Sequence, residues 1–183
     1  MSAHTDRDVL TNEFVASFAA SWLDAWNSGD PGKVAELCAE DAHWTDPALP
    51  EPQVGRAAVL DFARRTFETF PDFHIEETAP PLHSAELPRA LAPYRIRATM
   101  RGPFDPFAAT YAPVVIEGVD EWTFRNAELA VYNTYYDSLG LARQLGVMPS
   151  AGSLAERGLA RLQHLQARSR RAKARRATRA TAR

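Results

Sequence analysis

The sequence predicts an α+β fold, a cone-shaped barrel in which a curved, mixed or antiparallel β-sheet wraps around three N-terminal α-helices. Two observations predict it. Over most of the first 72 residues the apolar side chains recur at helical spacing, and from Phe73 onward they mainly alternate with polar ones. The chain has 183 residues with 45% hydrophobic content, which suits one domain with a core of its own plus a tail. Helices packed against a bent sheet leave a cone-shaped cavity between the two layers.

Three apolar patterns in the first part of the chain are typical of helices. The first is a stripe of aromatic residues four positions apart, namely Phe14, Phe18, Trp22 and Trp26. This helix is predicted to end at the small-residue turn that follows. Asp30 as an N-cap and Pro31 in the first turn predict a short second helix that includes Cys38 as a buried side chain. The third covers residues 55–70, and its inward side chains are Val59, Leu60, Ala63, Phe67 and Phe70.

Alternating segments predict the strands. Residues 42–47 form a short strand that Pro47 ends, and residues 73–78 form another. The proline-rich segment 79–93 is predicted to be a loop, and its use as a lid is left open. In residues 94–101 apolar side chains alternate with polar ones, and the arginines are expected to point outward. Residues 114–125 and 129–137 are predicted to form a hairpin. Gly118 lies in the middle of its strand, where a bulge or a sharp bend is predicted.

The charges divide the chain into an acidic domain and a basic tail. Up to Glu156 there are 23 acidic residues and 11 Lys or Arg, and from Arg157 onward there are ten Lys or Arg and no acid. We therefore predict a flexible N-terminus over residues 1–9, a domain over 10–149 and a helical Arg/Ala-rich tail over 150–183. A weak contact of the tail with nucleic acid or an anionic surface is one interpretation, and docking onto the acidic domain is the other.

Composition also excludes several classes of protein. The single cysteine, Cys38, rules out a disulfide within the chain, and the five histidines are scattered without zinc-type spacing, so no metal site is predicted. No apolar run approaches the ~18 residues that span a bilayer, and the polar start of the sequence predicts a cytoplasmic protein. The sequence contains no Gly-rich phosphate loop, and a phosphate-bearing substrate is not expected.

Asp120 is the first candidate for catalysis. On its predicted strand it shares a face with Val114, Ile116, Trp122 and Phe124, so its carboxyl group is expected to point inward. Burial disfavours the charged form and raises the pKa, which leaves a protonated acid able to donate a hydrogen bond. The alternative is a register change near Gly118 that places Asp120 in solvent.

Asp46 is the second candidate. It shares a face with Trp44 and is followed by a proline that ends the strand. A carboxylate at the mouth of an apolar cavity is the type of group that abstracts a proton next to a carbonyl. The alternative is that Asp46 serves only to form an Asp-Pro turn.

These residues resemble a known superfamily. The stretch AWNSGDPGKVAELCAEDAHWTDPALPEPQVGRAAV and the strand GVDEWTF resemble the ketosteroid isomerases of the nuclear-transport-factor-2-like superfamily, and YYDSLGLARQLGVMP is similar to the SnoaL-like polyketide cyclases. The resemblance covers roughly residues 10–149. It implies that Asp46 is a general base and that Asp120 is a neutral acid that binds the enolate oxygen. The position of the isomerase's second donor, a tyrosine, is Trp22 here, which offers only an indole N–H.

This sequence differs from the cyclase pattern at one position. Thr134 stands where we take the cyclases to carry their catalytic acid, and Asp137 matches the second acid of their motif. Thr134 can orient a substrate oxygen but cannot act as an acid at neutral pH. Asp137 has the opposite strand parity and precedes an apolar run, so it is predicted to be a helix N-cap, with catalysis as the alternative.

The implied cavity is large, aromatic and poor in cations. Its predicted substrate-binding residues are Trp22, Trp44, Tyr94, Met100, Trp122, Tyr132, Thr134 and Tyr136. This lining and the family resemblance together imply a flat apolar carbonyl compound, steroid-like or polyketide-derived, as the substrate, and no cofactor. The predicted function is therefore an isomerase or cyclase, and a homodimer is expected. The alternatives are a non-catalytic pocket or dimerisation scaffold, or a protein whose functional part is the tail.

Overall fold

A computed structural model describes residues 10–104 and 106–181. The predicted flexible segment 1–9 lies outside the described residues. The five helices of the described residues are α1 (Asn12–Asn27), α2 (Pro31–Glu36), α3 (Arg56–Thr69), α4 (Ser138–Gln144) and α5 (Leu154–Thr181). The strands are β1 (Cys38–Thr45), β2 (Gln53–Val54), β3 (His74–Glu77), β4 (Leu82–His83), β5 (Arg89–Thr99), β6 (Pro113–Arg125) and β7 (Glu128–Tyr136).

The strands form one mixed sheet, which confirms the predicted α+β class. Its order is β2-β1-β7-β6-β5-β3, with β4 paired to β5 beside this path. Strand β1 runs parallel to β7, with Trp44 opposite Tyr132, and every other pairing is antiparallel. The sheet is not closed, because its path ends at β2 and β3.

Side-chain caps mark the start of the first two helices. The hydroxyl of Thr11 accepts a 3.1 Å bond from the N–H of Phe14, and Asp30 accepts a 2.8 Å bond from the N–H of Gly32. Helix α2 is shorter than predicted, because Leu37 is its C-cap and Cys38 begins β1. Cys38 is buried as expected, and burial raises the pKa of its thiol to about 12, so it is an unreactive core residue.

One of the inward residues predicted for α3 is wrong. Leu60 is exposed, whereas Phe62 is buried together with Val59 and Ala63. The pattern of residues 59–63 allows either choice of face, and packing of Phe62 against the rings of Trp26 and Trp44 decides it.

Two predictions about the strands are wrong. The proline-rich segment 79–93 is not one loop, since it contains β4 and its last five residues already belong to β5. Gly118 forms no bulge, because β6 pairs with β5 in unbroken register across it, with Tyr94 opposite. The register shift of β6 lies further along the chain, between Thr123 and Phe124.

The main core lies between α1, α3 and the inner face of the sheet, and a smaller cluster lies near α4. Helix α1 contributes Phe18, Trp22 and Trp26 to the main core. The arginines of β5 point outward as predicted, and Arg95 and Arg97 both pair with Glu76. Among the described helices none combines the length and the apolar character needed to cross a membrane.

Candidate active site

One large cavity opens between the helices and the inner face of the sheet. The space between its lining atoms is about 820 Å³, including the part that is open to solvent. Its lining is mostly aromatic and aliphatic. It contains two carboxyl groups, Asp46 and Asp120, and no Lys, Arg or His from the described residues.

Asp120 projects from β6 into this cavity and is 2% exposed. The predicted inward parity is therefore confirmed, and the solvent-facing alternative is wrong. Its Oδ1 accepts a 2.7 Å hydrogen bond from the hydroxyl of Tyr132, and its Oδ2 accepts a 3.2 Å bond from Nε1 of Trp22. The two donors come from β7 and α1, so the carboxyl group joins the sheet to the first helix.

Burial raises the pKa of Asp120 to about 7. Hydrogen bonds from Tyr132, Thr134 and Trp22 act in the opposite direction, because they stabilise the charged form. The negative charge of Asp46 adds a smaller upward contribution to the pKa. At neutral pH a large fraction of Asp120 is therefore protonated and able to donate a hydrogen bond.

A second pair of hydroxyl groups extends the network from Asp120. Thr134 lies directly opposite Asp120 on β7 and is 4% exposed. Its Oγ1 is 2.8 Å from the hydroxyl oxygen of Tyr94 on β5. Gly118 makes room for this tyrosine, because a Cβ at that position would lie 2.6 Å from Cζ of Tyr94. The absence of a side chain at Gly118 thus lets Tyr94 reach Thr134.

Asp46 follows β1 and lies at the same cavity. Its Oδ1 accepts a 2.7 Å bond from the backbone N–H of Ala48 and a 2.8 Å bond from the hydroxyl of Tyr136. The first bond forms the Asp-Pro turn that was the alternative interpretation, so Asp46 both shapes the turn and lines the cavity. Burial raises the pKa of Asp46, while the bonds from Ala48 and Tyr136 oppose the rise.

The structure brings together eight of the ten predicted site residues. Those lining the cavity are Trp22, Trp44, Asp46, Tyr94, Asp120, Tyr132, Thr134 and Tyr136. Met100 and Trp122 do not line it, which corrects the prediction for both. Met100 is fully buried in the smaller cluster, and Trp122 packs in the main core against Phe18 and Trp22. Both have the inward parity, but they lie beyond the two ends of the cavity along their strands.

Several lining side chains on helices were not among the predicted site residues. Trp26 reaches the cavity from α1, Phe62 and Thr66 reach it from α3, Leu141 reaches it from α4, and Leu145 is the C-cap of α4. The four-residue spacing of Leu141 and Leu145 predicts that both lie on one face of a helix. The surface that this face covers depends on how the chain turns after β7, which the spacing does not show.

Asp137 is a helix cap. Its Oδ1 accepts a 2.8 Å bond from the N–H of Gly140, at the start of α4. It does not line the cavity, so the predicted cap is confirmed. Gly146 follows the helix with a φ of 75°, as expected for a C′ glycine.

The described residues contain no cluster of His, Cys, Asp and Glu arranged to hold a metal ion. The polar groups of the cavity are instead carboxyl, hydroxyl and indole groups. Such groups can accept a proton from carbon, donate hydrogen bonds to an oxygen and orient an uncharged ligand.

Solved structures share this architecture. TsrD from Streptomyces laurentii has 22% identity and a TM-score of 0.66, with 76% of this chain and 99% of that chain covered. A putative polyketide cyclase from Xanthomonas campestris has 19% identity and a TM-score of 0.63, with coverages of 74% and 99%. A ketosteroid isomerase-like protein from Catenulispora acidiphila, in complex with trimethylamine, has 19% identity and a TM-score of 0.60, with coverages of 70% and 92%.

At these identities the likeness establishes the fold and not the reaction. No curated protein sequence matches this chain. The family model of the SnoaL-like domain matches residues 19–132, which include the second half of α1, most of the residues that line the cavity and both carboxyl groups. The chain therefore belongs to the SnoaL-like domain family.

Proposed function

We propose that this protein is a cofactor-independent enzyme that performs acid–base chemistry through an enolate on an apolar carbonyl compound. The reaction is an isomerisation or an aldol-type ring closure of a steroid-like or polyketide-derived substrate. The observation that carries the proposal is the presence of two carboxyl groups, Asp46 and Asp120, in different surroundings along one apolar cavity.

Asp46 is the base in this proposal. It is partly exposed at the cavity, and both hydrogen bonds it receives are to the same oxygen, Oδ1. Its Oδ2 can therefore take a proton from the carbon next to the carbonyl group. The electron pair of the broken C–H bond moves onto the carbonyl oxygen and forms the enolate.

Asp120 in its protonated form supports the enolate oxygen. The fully buried carboxyl group is costly to ionise, so it keeps a proton that it can share with a developing negative charge. Tyr132, Thr134 and Tyr94 surround it with hydroxyl groups that can be reoriented toward the same oxygen. Such donors are already in place in a mostly apolar cavity, where hydrogen bonds to an anion are stronger than in water.

The proton on Asp46 then completes one of two reactions. Returned to a different carbon of the enolate, it gives an isomer of the starting ketone. If the enolate carbon instead attacks a second carbonyl group of the same molecule, a C–C bond forms and the proton goes to the new alkoxide, which closes a ring. Either outcome conserves the atoms of the substrate and requires no redox partner.

The test follows exchange of protons next to the carbonyl of fused-ring ketones in D₂O by NMR. We expect wild-type protein to catalyse the exchange and Asp46→Asn to lose about 10²-fold or more of the rate, as is typical for removal of a general base. Asp137→Asn is the matched control, since that carboxyl group lies outside the cavity and asparagine is an equally good cap. An unchanged rate in Asp46→Asn would exclude this base.

A second candidate function is non-catalytic binding of an apolar ligand. It is favoured by the hydrogen bonds of Asp120, whose two oxygens both accept bonds from protein donors, Tyr132 and Trp22. The same NMR experiment separates the two functions. A fused-ring ketone that binds the cavity without any catalysed exchange would support the binder.

We also propose that the protein forms a homodimer. Exposed apolar side chains on the outer face of the sheet support this assembly. Leu91, Val115 and Tyr135 lie on that face, on β5, β6 and β7, and all three are exposed. A second copy that covers this face would remove them from water. Analytical ultracentrifugation measures the assembly directly. The cytoplasmic location stays a prediction.

A further inference from the structure

Helix α5 presents an apolar face that the rest of the protein does not cover. Leu154, Leu159, Leu162 and Leu165 are 80%, 47%, 52% and 62% exposed. At about 100° per residue, these four leucines fall within about 140° of the helix circumference. They form a continuous apolar stripe along the first half of α5, which we call the leucine face.

A basic side of α5 adjoins the leucine face. Arg157, Arg161, Arg168 and Arg171 are exposed and fall within about 80° of one another, in a sector centred about 130° from the middle of the leucine face. The sequence has ten Lys or Arg from Arg157 onward and no acidic residue in that segment. A partner of α5 is therefore expected to carry negative charge.

Helix α5 makes polar contacts with the preceding part of the chain at its first turn. Glu156 Oε1 accepts a 2.9 Å bond from Nη2 of Arg143, and its Oε2 accepts one of 2.6 Å from the N–H of Gly152. The guanidinium of Arg157 donates a 3.1 Å bond to the carbonyl oxygen of Gly152. These contacts fix the start of the helix and leave the leucine face open.

We propose that α5 is an interfacial helix that binds membrane surfaces rich in anionic lipid. Such a surface is the partner that uses both sides of the helix, because leucines enter the boundary between headgroups and acyl chains while arginines contact lipid phosphates. A nucleic acid would bind the arginines and leave the four leucines in water. Pairing of α5 with a second copy of itself would bring together two helices with the same positive charge.

This inference does not depend on the proposed reaction, since the leucine face and the cavity share no residue. Membrane binding through α5 would place the cavity of the domain near the lipid surface. An apolar substrate partitions into that surface, so the helix would supply the enzyme with its substrate locally.

The test is co-sedimentation of the full-length protein with vesicles. Two compositions are compared, phosphatidylcholine alone and equal parts of phosphatidylcholine and phosphatidylglycerol. We expect binding only to the vesicles that contain phosphatidylglycerol. In the triple variant Leu159→Ser, Leu162→Ser and Leu165→Ser, partitioning should fall by about tenfold or more, because apolar burial is lost while every charge is kept.

The matched control carries three serines on the opposite side of the same helix segment: Ala160→Ser, Gln163→Ser and Ala167→Ser. It lowers helix propensity in a similar way but leaves the leucine face intact, so its binding should equal that of the wild type. Far-UV circular dichroism checks that both variants keep the same helix content.

Three results would overturn the proposal. The first is that wild-type protein does not bind phosphatidylglycerol vesicles. The second is that the leucine variant binds them as well as the wild type and also retains duplex DNA equally, which would identify a polyanion site made of charges alone. The third is that wild-type protein sediments as a dimer and the leucine variant as a monomer, with no vesicle binding by either, which would assign the leucine face to a second copy.

Discussion

Nε1 of Trp22 donates a hydrogen bond of 3.2 Å to Oδ2 of Asp120, which lies 98 residues further along the chain. The bond joins α1 to β6 across the main core, and both side chains are at most 2% exposed. Indole N–H can only donate, so this contact always favours the charged form of the carboxyl group. Trp22 thereby helps to keep the pKa of Asp120 close to 7 despite complete burial.

Replacing Trp22 by phenylalanine should therefore raise the pKa of Asp120 above about 7. The measurement is carboxyl-carbon NMR on labelled protein, with Asp120→Asn used to assign the resonance. Trp26→Phe is the matched control, because Nε1 of Trp26 is buried without a hydrogen-bond partner among the described residues. A pKa of Asp120 that moves equally in both variants would point to a change of packing instead of the lost hydrogen bond.

Asp120 should also make stability depend on pH in a definite direction. Its pKa is about 7 in the folded protein and about 4 in an unfolded chain. The stabilisation that comes from this raised pKa is fully present at pH values below the pKa of the unfolded chain. It is lost as the pH rises through the pKa of the folded protein, which is about 7. Relative to Asp120→Asn, the free energy of unfolding of the wild type should thus fall by up to about 4 kcal/mol between about pH 4 and pH 7.

Urea unfolding of both proteins across this pH range measures the difference. Carboxyl groups that do not interact with Asp120 contribute equally to the two proteins and cancel in the comparison. The asparagine can still accept the bond from Trp22 and donate to the hydroxyl oxygen of Tyr132. A difference that stays constant with pH would show that Asp120 has an ordinary pKa.

Substituting alanine for Gly118 should lower the free energy of unfolding by about 1–3 kcal/mol, as overpacking of a core does. The added Cβ would lie 2.6 Å from Cζ of Tyr94 and 2.7 Å from the carbonyl oxygen of Tyr135. Tyr94 must then move away from Thr134. Gly158→Ala on α5 is the control, since no atom outside its own stretch of helix backbone lies within 4 Å of the added Cβ and alanine favours a helix. Equal stability of wild type and Gly118→Ala would contradict this packing.

Asp137→Ala should cost about 1 kcal/mol of stability, whereas Asp137→Asn should cost close to nothing, because asparagine caps a helix as well as aspartate does. The capping bond to Gly140 supports α4, which carries Leu141 and Leu145 into the cavity wall. Chemical denaturation of the two variants provides the comparison. If Asp137 were catalytic, the asparagine variant would lose ketone exchange while remaining fully stable.

Patterns within one strand or helix predicted the parts of the site that depend on local periodicity. Strand parity alone placed Asp120 inward, and residue types in sequence gave the caps Asp30 and Asp137. These features depend on neighbours a few positions away, so they can be inferred before the fold is known.

What the sequence could not supply were contacts between distant segments. The strand pattern predicts a bulge or a sharp bend at Gly118, because it does not show that the ring of Tyr94 lies against this glycine. Met100 and Trp122 have the right parity, but the length of the cavity along each strand is set by the layers above it. The bond from Trp22 to Asp120 likewise requires the angle at which α1 crosses the sheet.

The parallel pairing of β1 with β7 has a consequence for the order of folding. Strands β5, β6 and β7 follow one another as antiparallel neighbours, so their contacts close short or moderate loops. Asp46 and Tyr136, which hydrogen bond beyond the paired ends of β1 and β7, are 90 residues apart. Closing a long loop costs chain entropy and is therefore slow. We expect β5, β6 and β7 to form a three-stranded meander first and β1 to join it afterwards. The cavity wall is complete only after that step, and a chain whose synthesis stops before β7 would lack the three lining residues Tyr132, Thr134 and Tyr136.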